Sequence, residues 1–220
     1  MPRLVILSDT HGLHHKLTTS GCEVPEGDVL VHCGDYSGFG REVEVQNFLG
    51  WMKGLPHPHK VVINGNHEIG LQGQPHLVDR MADAGVTYLE DSGAEICGLK
   101  FWGSPWTPRY YDWAYNLDRL SARMQHVRDM IPSDTEVLVT HGPPWGILDE
   151  VPNLGSEVER TGCEVLAKTL RRLTKLRLHC FGHIHVAAGC KRIGEVMFIN
   201  AAQKVEGTTA LLPPTIFSIP

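Results

Sequence analysis

The stretch Val61-Val62-Ile63-Asn64-Gly65-Asn66-His67-Glu68 constrains the fold more than any other part of the chain. Three β-branched residues run into a turn that holds amides, an imidazole and a carboxylate. A short apolar run stopped by Asn-Gly predicts a buried strand that ends at a loop. The same grammar recurs along the chain. Val5-Ile6-Leu7 runs into Ser8-Asp9-Thr10-His11, and Val29-Leu30-Val31 into His32-Cys33-Gly34-Asp35. Val137-Leu138-Val139 runs into Thr140-His141-Gly142. Residues 176–181 deliver Gly182-His183-Ile184-His185. Sites in open α/β sheets form beyond the carboxyl ends of strands. Strand ends tipped with Asp, Asn or His therefore predict one constellation gathered from distant parts of the sequence.

The segments between these runs predict helices. Val45, Phe48, Leu49 and Met52 give residues 42–54 near-helical spacing, and Pro75 suits the first turn of a helix over 75–84. Further helices are predicted over 117–131 and 162–174, and a short helix or loop over 14–19. Residues 94–97 and 99–102 flank Gly98 as a hairpin in a second sheet. Strands are predicted over 86–89, 189–193, 196–200 and 215–219. The aromatic-rich stretch 104–116 has no regular period and is expected to be an ordered loop over a site. The first half alternates strand and helix and the later part is strand-rich. The expected fold is α/β: a four-layer αββα sandwich of two mixed β-sheets flanked by helices, with residues 1–220 as a single domain.

Bulk properties exclude several classes. With a net charge of −5 and a pI of about 6.2, bulk capture of a nucleic-acid polymer or an anionic membrane is not expected, although a local phosphate site is allowed. No leader-like segment precedes the first strand pattern, and no long apolar run occurs. The cysteines (Cys22, Cys33, Cys97, Cys163, Cys180, Cys190) form no C-x-x-C pair. These features predict a cytoplasmic, reduced protein, monomeric or homodimeric, with most thiols as small core residues.

Asp9, His11, Asp35, Asn66, His141, His183 and His185 offer carboxylates, an amide oxygen and imidazoles, the ligands of borderline divalent metals. They are too many for a single ion that keeps an open position. They suit two ions that share a bridging carboxylate, the clamp used for phosphoryl transfer, with the bound water activated near neutral pH. Two divalent ions would outweigh Asp9, Asp35 and a bridging hydroxide by about one positive charge, which a phosphodiester monoanion neutralises.

Asp9-x-His11, Gly34-Asp35, Gly65-Asn66-His67-Glu68, His141-Gly142 and Gly182-His183-x-His185, in this order, resemble the signature motifs of calcineurin-like metallophosphoesterases. Gly103-Ser104-Pro105-Trp106, Thr140 to Pro144, Arg160 to Cys163 and Pro213 to Phe217 extend the likeness, over nearly the whole chain, to the metallophosphoesterase-domain-containing subgroup. The resemblance implies that Asp9, His11 and His185 hold a first ion, that Asn66, His141 and His183 hold a second, and that Asp35 bridges them. It places His67 at the substrate, where it protonates the leaving group, and makes Glu68 an orienting neighbour of the ligands. Some members of the subgroup carry glycine where this chain has His183, so a full metal pair is expected here. Manganese is the first expectation for the metal, with Fe, Zn, Ni or Co as alternatives. The implied activity is hydrolysis of small phosphodiesters, cyclic nucleotides among them. The alternatives are a phosphomonoesterase or protein phosphatase, and a nucleotide-binding scaffold with little turnover.

A lone histidine in a polar turn is usually a loop residue, so His14, His15, His57, His59, His76, His126 and His179 are expected on the surface or in the core. His32 is treated alike, though it lies close to Asp35. Lys168, Arg171, Arg172, Lys175 and Arg177 are expected to form a solvated face. Among the aromatics, Trp106 and Trp145, each in a proline-bordered loop near a strand end, are the expected substrate-stacking residues beside Asn66 and His67.

Overall fold

A computed structural model describes residues 1–18, 22–74, 76–152 and 158–219. In chain order the elements are β1 (Arg3–Leu7), β2 (Val29–His32), α1 (Glu42–Gly54), β3 (His59–Val62), α2 (Leu77–Asp83), β4 (Thr87–Tyr88), β5 (Ser92–Ile96), β6 (Leu99–Ser104), β7 (Thr107–Pro108) and β8 (Asn116–Leu117). There follow α3 (Ala122–Asp129), β9 (Val137–Thr140), β10 (Glu150–Pro152), β11 (Val158–Arg160), α4 (Glu164–Thr169), β12 (Leu178–Phe181), β13 (Gly189–Ile193), β14 (Val196–Asn200) and β15 (Thr215–Ser218).

The main strands form two sheets. The first has the order β15-β1-β2-β3-β4 and the second β13-β14-β12-β9-β6-β5. Within the first, β1 to β4 run parallel and β15 lies antiparallel on β1. The second is parallel at β6, β9, β12 and β14 and antiparallel at both edges. Parallel strands covered on both faces read as continuous apolar runs. That is why 4–7, 29–31 and 137–139 are fully buried without alternation.

Three apolar clusters define the layers. Leu4, Ile6, Val31, Val61 and Ile63 of the first sheet meet Phe101, Val137, Val139, Leu178 and Ile199 of the second. The alternate residues Val5, Leu7, Leu30 and Val62 face Val45, Phe48 and Met52 of α1 and Met81 of α2. On the far side Leu138 packs with Met124 and Val127 of α3 and Val165 and Leu166 of α4. The architecture is the expected α/β sandwich of two mixed sheets with helices on both outer faces.

Several boundaries differ from the sequence reading. The helix predicted over 117–131 begins only after Ser121, whose Oγ accepts the Met124 N–H as an N-cap. Leu117 is instead drawn into β8 beside Pro108. The 162–174 segment splits into α4 and a 3-10 turn over Leu170–Arg172. The strand predicted over 86–89 shortens to β4, and residues 14–18 form a 3-10 turn. The hairpin at Cys97-Gly98 stands as predicted, with positive φ at both turn residues. The small antiparallel ribbon β10–β11 was not anticipated. Thr19 and Pro75, which carried parts of the predictions, lie outside the described residues. Cys33, Cys163 and Cys180 are buried, whereas Cys97 and Cys190 are exposed, so only half of the thiols meet the core expectation. Arg172 is not fully solvated: it donates to the carbonyls of Arg128, Asp129 and Ile131 at the end of α3. Among the described residues no helix is long and apolar enough to cross a membrane.

Candidate metal centre

The carboxyl ends of β1, β2 and β3 in one sheet and of β9 and β12 in the other open onto the same place. Asp9 and His11 follow β1, Asp35 follows β2, Asn66 and His67 follow β3, His141 follows β9, and His183 and His185 follow β12. The loops are held in sparsely populated backbone. Asp9, His11, Asp35 and His183 have φ of 55°, 43°, 53° and 70°, a left-handed conformation uncommon for non-glycine residues and frequent at functional sites. Glycines let the strand ends close up. A Cβ on Gly65 would sit 2.3 Å from Asp35 Oδ1, and one on Gly182 2.0 Å from Asp9 Oδ2.

Three sets of donor atoms lie within 4.8 Å of one another: Asp9, His11 and His185; Asp35, His141 and His183; and His11, Asp35 and His67. In the first set, His185 Nε2 lies 3.2 Å from Asp9 Oδ1 and 3.2 Å from His11 Nε2. In the second, His141 Nε2 lies 3.3 Å from Asp35 Oδ2 and 2.9 Å from Asn66 Oδ1. His67 Nε2 is 3.9 Å from Asp35 Oδ2. The structure thus brings all seven candidate ligands and His67 into one cluster.

Outer contacts fix these groups. His141 Nδ1–H donates to the Cys33 carbonyl and His67 Nδ1–H to that of Gly38. Both rings therefore turn Nε2 inward, as ligand histidines commonly do. His185 Nδ1 lies 2.7 Å from Glu206 Oε1. Glu68 is fully buried and accepts the backbone N–H groups of Asp35, Gly65 and Ser37 together with the Ser37 hydroxyl. It orients the loops that carry Asp35 and Asn66, and burial beside the Asp35 charge raises its carboxyl to about 7. Thr140 spends its hydroxyl proton on the Gly142 carbonyl, so His179 Nε2–H is the donor to Thr140 Oγ1 at 2.8 Å. His32 Nε2 is likewise 3.1 Å from Thr10 Oγ1, between Asp9 and His11.

The electrostatics are those of a cluster that seeks cations. Burial opposes ionisation of Asp9 and Asp35, yet the facing histidines prevail and hold both carboxyls well below the usual range. Burial likewise works against charge on His141, but the Asp35 and Asp9 carboxylates lift it to about 9. A divalent ion held there would displace that proton from Nε2, which faces Asn66 Oδ1 and Asp35 Oδ2, and leave a neutral ligand. His11 and His183 are pushed by burial to about 4, so they are neutral donors at physiological pH. Ionised carboxylates, neutral imidazoles and a converging amide oxygen fit a pair of divalent ions.

The structure departs from expectation at the aromatics. The Trp106 indole N–H is committed to Asp91 Oδ2 at 2.6 Å, and Arg128 donates to the Trp106 carbonyl. The Trp145 ring lies under the Arg119 guanidinium. Trp113 is the tryptophan beside the cluster, with its ring centroid 4.2 Å from that of His67. Neither this contact nor that of Glu206 leaves a periodic mark in the sequence, because both arise from loops that meet only after folding.

Strand-end donors of this kind on a double-sheet sandwich suit a phosphoesterase. Residues 2–187 match the Calcineurin-like phosphoesterase family, and the chain belongs to that family. It is 34% identical over 241 residues to human Metallophosphoesterase domain-containing protein 1, covering 99% of this chain and 71% of that protein. It is 37% identical over 232 residues to a UPF0046 protein of Caenorhabditis elegans, covering 99% and 75%. The crystal structure of the Thermus thermophilus protein TT1561 superposes with a TM-score of 0.58 at 11% identity, covering 92% of this chain and 91% of that one, a likeness of fold.

Proposed function

We propose that this family member is a two-metal phosphodiesterase acting on small phosphodiesters, cyclic nucleotides included. In this reading Asp9, His11 and His185 hold one ion, Asn66, His141 and His183 hold the other, and Asp35 stands between them. The observation that carries it is the grouping of donors into two three-residue sets, each drawn from both sheets, with His67 at their edge. When bound, the ions supply an activated water and the positive charge that the phosphate needs. Manganese is the first metal to test.

The remaining chemistry belongs to the chain. Asn66 and His67 position the phosphoryl oxygens, and the Gly38 carbonyl holds the His67 ring by Nδ1–H. His67 Nε2 carries the transferable proton. As water oxygen joins phosphorus and the ester bond breaks, the leaving oxygen takes the electron pair and then the Nε2 proton. The proton lost by the water replaces it.

Protein stripped of metal and reloaded with Mn²⁺ should cleave bis(p-nitrophenyl) phosphate faster than p-nitrophenyl phosphate. The reverse ratio would favour a phosphomonoesterase or protein phosphatase. Tight binding of a nucleoside monophosphate with no turnover under any metal would favour a nucleotide-binding scaffold. Activity surviving both Asp35→Asn and His141→Ala would exclude the mechanism.

A further inference from the structure

The loop between β7 and β8 is built rather than loose. Ala114 N–H donates to the carbonyl of Asn66, and Tyr115 N–H donates to Gln72 Oε1. Asn64 Nδ2 donates to the Tyr115 hydroxyl, and Asn116 Nδ2 holds the carbonyls of Tyr110 and Tyr111. Tyr111 and Tyr115 both adopt a φ of 50°, a strained choice for bulky residues. This bracing fixes rings at the edge of the donor cluster. The Trp113 ring lies 4.2 Å from that of His67, and Phe39 stacks behind it at 6.1 Å with planes 14° apart. On the other flank Tyr110 stands edge-on to His183 at 6.2 Å.

Exposed rings concentrate here. Among the described residues the large aromatics with open surfaces are Phe39, Tyr110, Tyr111 and Trp145, and three of these belong to this rim. Trp113 itself is half-buried between His67 and Phe39, and the braced rim around it offers an aromatic edge to a flat partner.

We infer that Trp113, backed by Phe39, forms a subsite for a planar ring carried by the leaving group, the base of a nucleoside or an aryl ring. This rests on the phosphodiesterase reading. His67 protonates the leaving oxygen there, so the substituent on that oxygen lies on the His67 side, where Trp113 is. Tyr110 flanks the ester group that stays on phosphorus. Trp113 is then a specificity residue: it touches substrate beyond the reacting atoms and selects flat leaving groups over puckered ones.

The test is equilibrium binding by calorimetry to the Mn²⁺-loaded full chain, with phenylphosphonate, cyclohexylphosphonate and inorganic phosphate as probes. Wild-type protein should prefer the phenyl compound over the cyclohexyl one about tenfold, the scale of one aromatic stacking contact. Trp113→Leu should erase that preference while inorganic phosphate binds both proteins alike, and Trp113→Phe should recover most of it. Phe39→Leu, at an exposed position, should weaken the preference about threefold and guards against a folding defect in the Trp113 variants. Adenosine and phenyl thiophosphate esters, compared as substrates, tell nucleobase from aryl: the better one should show the larger rise in KM in Trp113→Leu. Phosphate binding without ring preference in the wild type, or a preference unchanged in Trp113→Leu, would overturn the subsite alone. Absence of phosphate binding under Mn²⁺ would overturn the phosphoesterase reading and the subsite with it.

Discussion

The two sheets contribute unequally to the candidate site. The ends of β1, β2 and β3 supply every oxygen donor, namely Asp9, Asp35 and Asn66, together with His11 and His67. The ends of β9 and β12 supply only nitrogen, through His141, His183 and His185. One edge brings negative charge and the other neutral or protonated imidazole. Yet two of the three sets span the seam, since Asp9 and His11 need His185, and Asp35 needs His141 and His183, while His11, Asp35 and His67 lie on the first sheet alone. Neither of the two sets assigned to an ion is complete on one sheet. The site is therefore a product of sheet packing, and the buried apolar layer between the sheets sets the distance between unlike donors.

The sharpest way to break this comparison is to strip one edge of its charge. Asp35→Asn, on the oxygen edge, should lower Mn²⁺ affinity and turnover by more than the ~100-fold that loss of an outer-sphere partner costs. His141→Ala, on the nitrogen edge, should do the same, and metal titration of both variants would show whether the edges are equally needed. Retention of two tight ions in either variant would refute the shared arrangement.

His67→Ala should follow, with a loss of about 10²–10⁴ for esters with poor leaving groups and a much smaller one for activated aryl esters. A uniform loss across leaving groups would assign His67 to binding alone. Glu68→Gln should cost about 10–100-fold in metal affinity or activity. Its carboxylate accepts four donors that shape the oxygen edge, and Glu206→Gln, acting on one exposed contact to the nitrogen edge, should cost less.

The smallest effect concerns the buried props. His32 under the first edge and His179 under the second are both pushed by burial to about 3, with the Arg128 charge adding to the effect at His179. A histidine depressed below its unfolded value near 6.5 binds fewer protons folded than unfolded. Its stabilising contribution is complete above pH 6.5 and fades as the pH falls from there toward 3. Thermal melts of the metal-free protein should therefore decline between pH 6.5 and 5, and His179→Gln should flatten that decline. An unchanged slope would show that the acid sensitivity resides elsewhere.

Much of the site could be read from the chain because each donor interrupts an apolar run, and a polar residue at the end of a buried strand has few places to go. The layers were legible for the same reason: fully apolar strands such as 4–7 require cover on both faces. Helix lengths were less so. Residues 117–131 look helical by composition, but the Ser121 cap and the pairing of Leu117 in β8 settle the start, and both depend on partners beyond the local window. The ring that lies against His67 was not legible. Trp106 and Trp113 sit in the same loop with similar surroundings in sequence, and only the Asp91 partner of one and the His67 neighbour of the other separate them.

The left-handed turns at Asp9, His11, Asp35 and His183 bear on how metal enters. Because the surrounding sheets impose those backbone angles during folding, an arriving cation has side chains to settle but no loop to rewind. Uptake should be fast, and stripping by chelator should leave circular dichroism unchanged. The sheets rather than the ion would then set the backbone of the socket, and ion exchange would depend on what is available in solution.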